Sequence, residues 1–274
     1  VVVPTNTFVA TANAIRFVGA EVIFADVDPD NGLMGAEELS IALRNNADKK
    51  IKAVFPVHFA GQPADPIEIS AIAREKGLSV VEDASHALGT IYGKKESFSV
   101  GGSRHADMTT FSFHPVKTIA CGEGGMVMTR NSHLYNRLKL FRDHGIRRGW
   151  HIIGSGTGDE GQMPWYYEMS EIGFNYRLSD IHAALGTSQL KRIFTFLTQR
   201  KNIVARYDRL LEPLSPLIQP ISRVSSADCG WHLYPVMIDF KAVGKTRGNL
   251  MAELQDRGVG TQVHYIPVHQ QPYY

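Results

Sequence analysis

The chain has 274 residues, with 29 Lys and Arg against 27 Asp and Glu, giving a formal net charge of +2. That balance supplies no electrostatic footprint for nucleic acid or an anionic membrane. A composition of 43% hydrophobic and 20% charged residues excludes a disordered chain and suits one large domain, or a large domain with a small companion. Cys121 and Cys229 are too few for a disulfide framework, so a reducing, cytoplasmic setting is expected, and no stretch has the length and apolarity of a bilayer span.

In chain order, Val1–Val3 reads as a short buried strand. A helix follows over Asn6–Val18, with Val9, Ala10, Ala14 and Phe17 at helical spacing. Glu21–Phe24 is a predicted strand, Gly35–Arg44 a helix, Lys52–Val57 a strand, and Pro66–Lys76 a helix stopped by Gly77. Ser79–Glu82, Met108–Phe113 and Gly124–Thr129 are further predicted strands. Strands alternating with ten-residue helices imply an α/β fold with a mainly parallel sheet covered on both faces. Beyond Ser132 the pattern changes. Leu134, Leu138 and Phe141 mark a helix, and Gly154–Met163 reads as a Gly-rich loop. Leu178–Leu211 reads as one long helical stretch with Ile181, Leu185, Ile193 and Leu197 on an apolar stripe, ended by Pro213, Pro216 and Pro220. A strand over Leu233–Asp239, a helix over Gly248–Arg257 and a strand over Gly260–Tyr265 complete a small α+β unit. The expected domains are a large one over 1–200 and a small one over 201–274. A first residue inside a core strand and a last residue without a polar tail lead to the expectation of an internal piece of a longer protein.

Two segments can carry chemistry. In Thr109–Lys117 an apolar strand runs through a polar turn to a single lysine, and Gly122, Gly124 and Gly125 follow, allowing close backbone approach. A lysine held at a sheet end can lose its proton and attack a carbonyl, forming a Schiff base; the alternative is an ordinary solvated loop lysine. In Val80–Gly89 a strand delivers Asp83, and His86 follows three residues later. Ligands bind outside the carboxyl ends of open α/β sheets, where a carboxylate can hold a cationic ring nitrogen; the alternative for Asp83 is a helix N-cap. A Schiff-base lysine with a strand-end Asp is what pyridoxal phosphate (PLP) requires, the Asp keeping the pyridine nitrogen protonated.

These segments, with Pro4–Asn13, His58–Pro63, Gly173–Asp180 and Gly260–Tyr265, resemble in order the DegT/StrS-type sugar aminotransferases, PLP enzymes of the aspartate-aminotransferase fold (fold type I). The form Phe113-His114-Pro115-Val116-Lys117 is similar to the branch that aminates a UDP-4-keto-6-deoxy-N-acetylhexosamine in pseudaminic acid biosynthesis. The resemblance implies that Lys117 is the catalytic Schiff-base and proton-shuttling residue and that Asp83 pairs with the pyridinium. It further implies that Phe8 stacks on the cofactor, that His86 lies near its 3-hydroxyl, and that Ser112 contacts its phosphate. Asn175 would reach the phosphate of the neighbouring subunit, making the active site a property of a homodimer. Tyr176, Arg177, His264 and Tyr265 are weaker candidates for the nucleotide-sugar. Taken one by one, Phe8 also fits a core position, His86 a hydrogen-bonded core histidine, and the last four ordinary surface residues.

The expected partners are a nucleotide-sugar and glutamate, with no metal: His58, His105 and His144 are scattered and match no zinc spacing. Gly156–Gly161 fits G-x-G-x-x-G but has no βα turn around it, which argues against a dinucleotide site. The family's phosphate-cradling Gly-Thr turn lies upstream of the Pro4 motif and is absent here, so the 274 residues alone are expected to bind cofactor weakly or not at all. Two other readings compete. A deoxysugar dehydratase of the same fold is opposed by Lys117, since such relatives carry histidine there. A non-catalytic regulatory or binding protein is opposed by the joint presence of Lys117, Asp83, Ser112 and Asn175.

Overall fold

The computed structural model describes residues 1–102, 104–148 and 165–274. The strands are β1 (Val2–Pro4), β2 (Ile23–Ala25), β3 (Ala53–Val54), β4 (Ser79–Asp83), β5 (Ile91–Tyr92), β6 (Phe98–Ser99), β7 (Met108–Ser112), β8 (Gly125–Met128), β9 (Ile146–Arg148), β10 (Tyr167–Met169), β11 (Ile218–Pro220), β12 (Ala227–Asp228) and β13 (Val236–Ile238). The helices are α1 (Val9–Phe17), α2 (Ala36–Asn45), α3 (Pro66–Lys76), α4 (Ser132–Arg142), α5 (Asp180–Leu190), α6 (Ile193–Leu211), α7 (Phe240–Val243) and α8 (Arg247–Asp256). A six-stranded sheet in the order β2-β1-β3-β4-β7-β8 dominates. It is parallel except for β8, which returns antiparallel to β7. The predicted α/β fold with a mainly parallel sheet is what forms, and among the described residues no helix is long and apolar enough to cross a membrane.

Side-chain alternation along the strands sorts the sheet's two faces. Val2, Ile23, Ala25, Val54 and Val80 pack with Leu39 and Ala42 of α2 and Ile69 and Ala73 of α3. Val3 meets Ala12 and Ile15 of α1, with Phe24 and Phe55 alongside. Along β4 the same alternation sends Glu82 and Asp83 to opposite faces, and Asp83 emerges on the α1 side, where Thr11 meets it.

Several expected boundaries shift. The first helix begins at Val9 rather than Asn6, because Phe8 keeps an extended backbone. The Lys52–Val57 strand shrinks to β3, since the chain from Pro56 leaves the ladder into a loop, keeping one bridge from Val57 to Asp83. Leu178–Leu211 is two helices: Arg192 departs from helical backbone angles and separates α5 from α6. The stripe assigned to it does not hold either. Leu197 is buried, but Ile181 and Leu185 are exposed, and α5 has no buried residue at all. The expected strand over Gly260–Tyr265 does not form, because that segment finds no ladder partner. It lies instead over the carboxyl ends of the central strands, and Val268 bonds back to Thr5 beside β1. The Gly154–Met163 loop and the Gly156–Gly161 motif lie outside the described residues.

Residues 56–64, which follow β3, are buried throughout. A buried loop must pair its polar groups internally, and this one does so across the molecule. His58 N donates to Asp83 O and Asp83 N to Pro56 O. Thr90 Oγ1 donates to Gly61 O, and itself accepts from Gly230 N. Gln62 donates to Ser222 O and accepts from Val224 N. Gly61 adopts φ +105°, and a Cβ at Gly230 would stand 2.4 Å from Leu88 O. Gly230→Ala therefore forces backbone against backbone and is expected to destabilise the protein by about 1–3 kcal/mol, read as a lower urea midpoint with an unchanged slope.

Candidate active site

The ends of β1, β3, β4 and β7 converge where the sheet order reverses between β1 and β3, the place at which open α/β sheets build their sites. Asp83 ends β4 half-buried, with both carboxylate oxygens engaged from the protein side. Thr11 Oγ1 donates to Oδ2 at 2.7 Å and Ser85 N to Oδ1 at 3.0 Å. Thr11 is in turn 2.8 Å from the hydroxyl of Thr7. Sequence reasoning missed Thr11 as an Asp83 anchor; the available signal was a polar side chain on the otherwise apolar inner face of α1, beside Ala12 and Ile15.

Lys117 stands on the turn between β7 and β8. Buried Thr118, Ile119 and Cys121 hold the chain behind it, and Cys121 N bonds to Phe113 O. Burial lowers the Lys117 pKa from the usual lysine range, opposed by the nearby Asp83 carboxylate, and its amine has no hydrogen bond among the described residues. This is the setting in which a lysine becomes a nucleophile rather than a solvated cation.

The remaining candidates divide. Phe8 is 57% exposed, so it is no core residue, and its ring lies 6.0 Å from that of Tyr265. Tyr265 Oη is 3.3 Å from His86 Nε2, while Ala60 N donates to His86 Nδ1 at 3.4 Å. That bond leaves the proton on Nε2, so His86 is a neutral imidazole donating to Tyr265. The ring of His264 lies 6.4 Å from that of His86. Burial, with Lys117 and then His264 nearby, pushes His86 down to about 3. Burial and Asp83 push Tyr265 up to about 12. Ser112, at the end of β7, accepts a long bond from His114 N. Asn175, Tyr176 and Arg177 lie outside the Lys117 cluster of their own chain: Asn175 bridges Asp143, Tyr176 stacks on Phe174 at 4.7 Å, and Arg177 pairs with Asp143 at 2.7 Å.

Two further histidines, buried His58 and half-buried His232, were given no site role by the sequence reading. His58 Nδ1 accepts from Ala64 N, and its Nε2 lies 3.5 Å from Glu82 Oε1, within ion-pair range but without hydrogen-bond geometry at either atom. Burial pushes Glu82 up, but His58 and a bond from Thr109 outweigh it and hold the carboxyl below its ordinary value. His232 packs its ring 4.6 Å from that of His86. A separate groove of about 810 Å³, lined in part by Asp28, Glu38, Asp65, Glu68 and Glu96, contains none of these residues. Among the described residues no cluster of three metal-binding side chains occurs.

The donor set fits an aldehyde-bearing pyridine: an unpartnered lysine amine, a carboxylate anchored from behind, and an exposed aromatic face beside them. The DegT/DnrJ/EryC1/StrS aminotransferase family model matches residues 1–274, the whole chain. The chain belongs to that family. Spore coat polysaccharide biosynthesis protein SpsC of Bacillus subtilis is 37% identical over 98% of this chain and 65% of its own. The structure of PseC from Helicobacter pylori, an aminotransferase involved in pseudoaminic acid biosynthesis, matches with a TM-score of 0.85 at 32% identity, over 100% of this chain and 67% of that one. The PLP form of Spr1654 from Streptococcus pneumoniae matches with a TM-score of 0.81 at 26% identity, over 100% and 68%. The chain thus spans about two thirds of the length of these relatives. Family members are PLP-dependent aminotransferases.

His86 and His232 both have folded pKa values below the unfolded 6.5, so the unfolded state binds the extra protons and stability rises with pH in that range. The same direction holds for His105 and His264. Urea midpoints are therefore expected to fall as pH drops from 6.5 to about 4.5, above the range in which carboxylates such as Glu82 contribute. A His86→Gln, His232→Gln double variant should flatten that slope; an unchanged slope contradicts the assignment.

Proposed function

We propose that this chain is the catalytic part of a PLP-dependent sugar aminotransferase, moving an amino group from glutamate to a nucleotide-linked 4-keto-6-deoxy sugar of the UDP-N-acetylhexosamine type. The observation that carries the reading is the pairing of a half-buried, partner-free Lys117 with an Asp83 anchored by Thr11 and Ser85. The likeness to PseC supports the pseudaminic-type acceptor. When bound, PLP supplies an electron sink through its protonated ring. Asp83 keeps the proton on the ring nitrogen, and its two protein hydrogen bonds fix the orientation of the carboxylate. Lys117 would hold the cofactor through Nζ and would move a proton at the reacting carbon. Phe8 would cover one ring face, His86 would lie toward the ring hydroxyl, and Ser112 would serve the phosphate.

Lys117→Ala is expected to abolish transamination, because no neighbouring amine can replace Nζ. Borohydride reduction followed by peptide mapping should place a pyridoxyl adduct on Lys117 of the wild-type protein. In the full-length protein, an adduct elsewhere, or none, rejects the reading.

We also infer a homodimer sharing its sites. Ile172, Phe174, Tyr176 and Ile181 are exposed together with Trp165, Tyr167 and Met169, an apolar surface beyond what a solvated face carries. This surface includes the segment bearing Asn175, which supports that residue's role at the partner's phosphate. An Ile172→Glu, Ile181→Glu variant is expected to shift the protein to monomer by light scattering and to lose the Lys117 adduct with it.

A further inference from the structure

His232 lies on the segment joining α6 to β13, and its backbone is clamped from both sides. Its N–H donates to Ala60 O at 3.0 Å. Arg200 on α6 donates to its carbonyl, and to that of Trp231, each at 3.1 Å. The ring is held against His86 with centroids 4.6 Å apart. Its Nδ1 is sealed from solvent without a hydrogen-bond partner among the described residues, whereas Nε2 is not sealed and is equally without a bond.

This asymmetry decides the tautomer. Structures tolerate a buried acceptor lacking a donor better than a buried N–H lacking an acceptor. The proton therefore sits on Nε2, and the hidden Nδ1 keeps its lone pair. Burial first, and then the neighbouring His86, Lys117, Arg200 and His264, push His232 down to about 2, so the ring is neutral near neutral pH. His232 is thus a pre-oriented, uncharged N–H donor within the field of Lys117, and nothing among the described residues uses that donor. A neutral donor matches a carbonyl or hydroxyl oxygen. A carboxylate or phosphate is matched more strongly by a charged donor.

We propose that His232 is a substrate-binding residue whose Nε2–H donates to a hydroxyl or carbonyl oxygen of the acceptor sugar, so that it helps set acceptor specificity. The inference rests on the aminotransferase reading above. In the holoenzyme, with glutamate and a UDP-4-keto-6-deoxy-N-acetylhexosamine as probes, His232→Phe is expected to raise the KM for the keto sugar about tenfold, the scale of one lost hydrogen bond. The KM for glutamate should stay within about twofold, borohydride should still label Lys117, and His232→Gln, which keeps an N–H donor, should recover most of the loss. Should His232→Phe fail to fold, His232→Asn, polar but too short to reach, replaces it with the same expectation. An unchanged KM for the keto sugar overturns the proposal, as does an equal rise in both KM values with loss of the Lys117 label, which marks a structural or cofactor role. Absence of the label in the wild-type protein rejects the aminotransferase reading itself, a result separate from these.

Discussion

The arrangement of the site depends on burying residues 56–64 with their backbone polar groups paired across the molecule. A loop taken out of water must find a donor or acceptor for each amide and carbonyl, and the penalty for failing is comparable to a lost hydrogen bond at every position. Here the partners come from β4, from the turn after it, and from the segments following α6. His58 ties the loop to the strand carrying Asp83. Ala60 offers its N–H to His86 and its carbonyl to His232. The close approach of Gly61 to Gly230 lets these distant stretches meet. The histidines around Lys117 are therefore placed by the loop's hydrogen-bond requirements as much as by their own packing.

The electrostatics follow from the same crowding. Lys117, His86, His232, His264 and Arg200 share a small, partly buried volume in which Asp83 is the acid that acts on Lys117. A protonated imidazole there would face neighbouring positive charge with little water to screen it, so the histidines stay neutral. Lys117 is pulled in the same direction by burial, with Asp83 limiting the shift. Neutral rings with fixed tautomers can donate hydrogen bonds without competing with Asp83 for charge. Glu82, one residue earlier, is kept apart by strand alternation; on the far face it accepts from Thr109 and lies within ion-pair range of His58.

Much was legible before any coordinates. Helix α3, with Pro66 at its start and Gly77 past its end, falls where its punctuation puts it, because caps and stops are local signals. Asp83 was legible because it ends a strand whose apolar pattern is plain, and Lys117 because it follows such a strand on a short polar turn. The long stretch 178–211 was misread because periodicity reports a helical face but not a break in it, nor whether that face meets its own core. The exposed Ile181 illustrates the second point: an apolar residue at helical spacing reads as core unless the tertiary arrangement leaves nothing to cover it. The Gly260–Tyr265 strand failed for a related reason. Extended propensity is a property of the segment, whereas a ladder needs a free edge beside it.

By itself the sequence determined the alternating α/β architecture and singled out the lysine and the carboxylate as candidates, since these depend on patterns confined to a few neighbouring residues. Only the tertiary structure decided how those groups are held and in what state. Thr11 reaching Asp83 spans 72 positions, and Tyr265 reaching His86 spans 179. His232 became a candidate only when its ring was found beside His86 with one nitrogen sealed and the other open. Protonation state and tautomer are set by burial and by partners brought together through folding, and no local pattern along the chain encodes either.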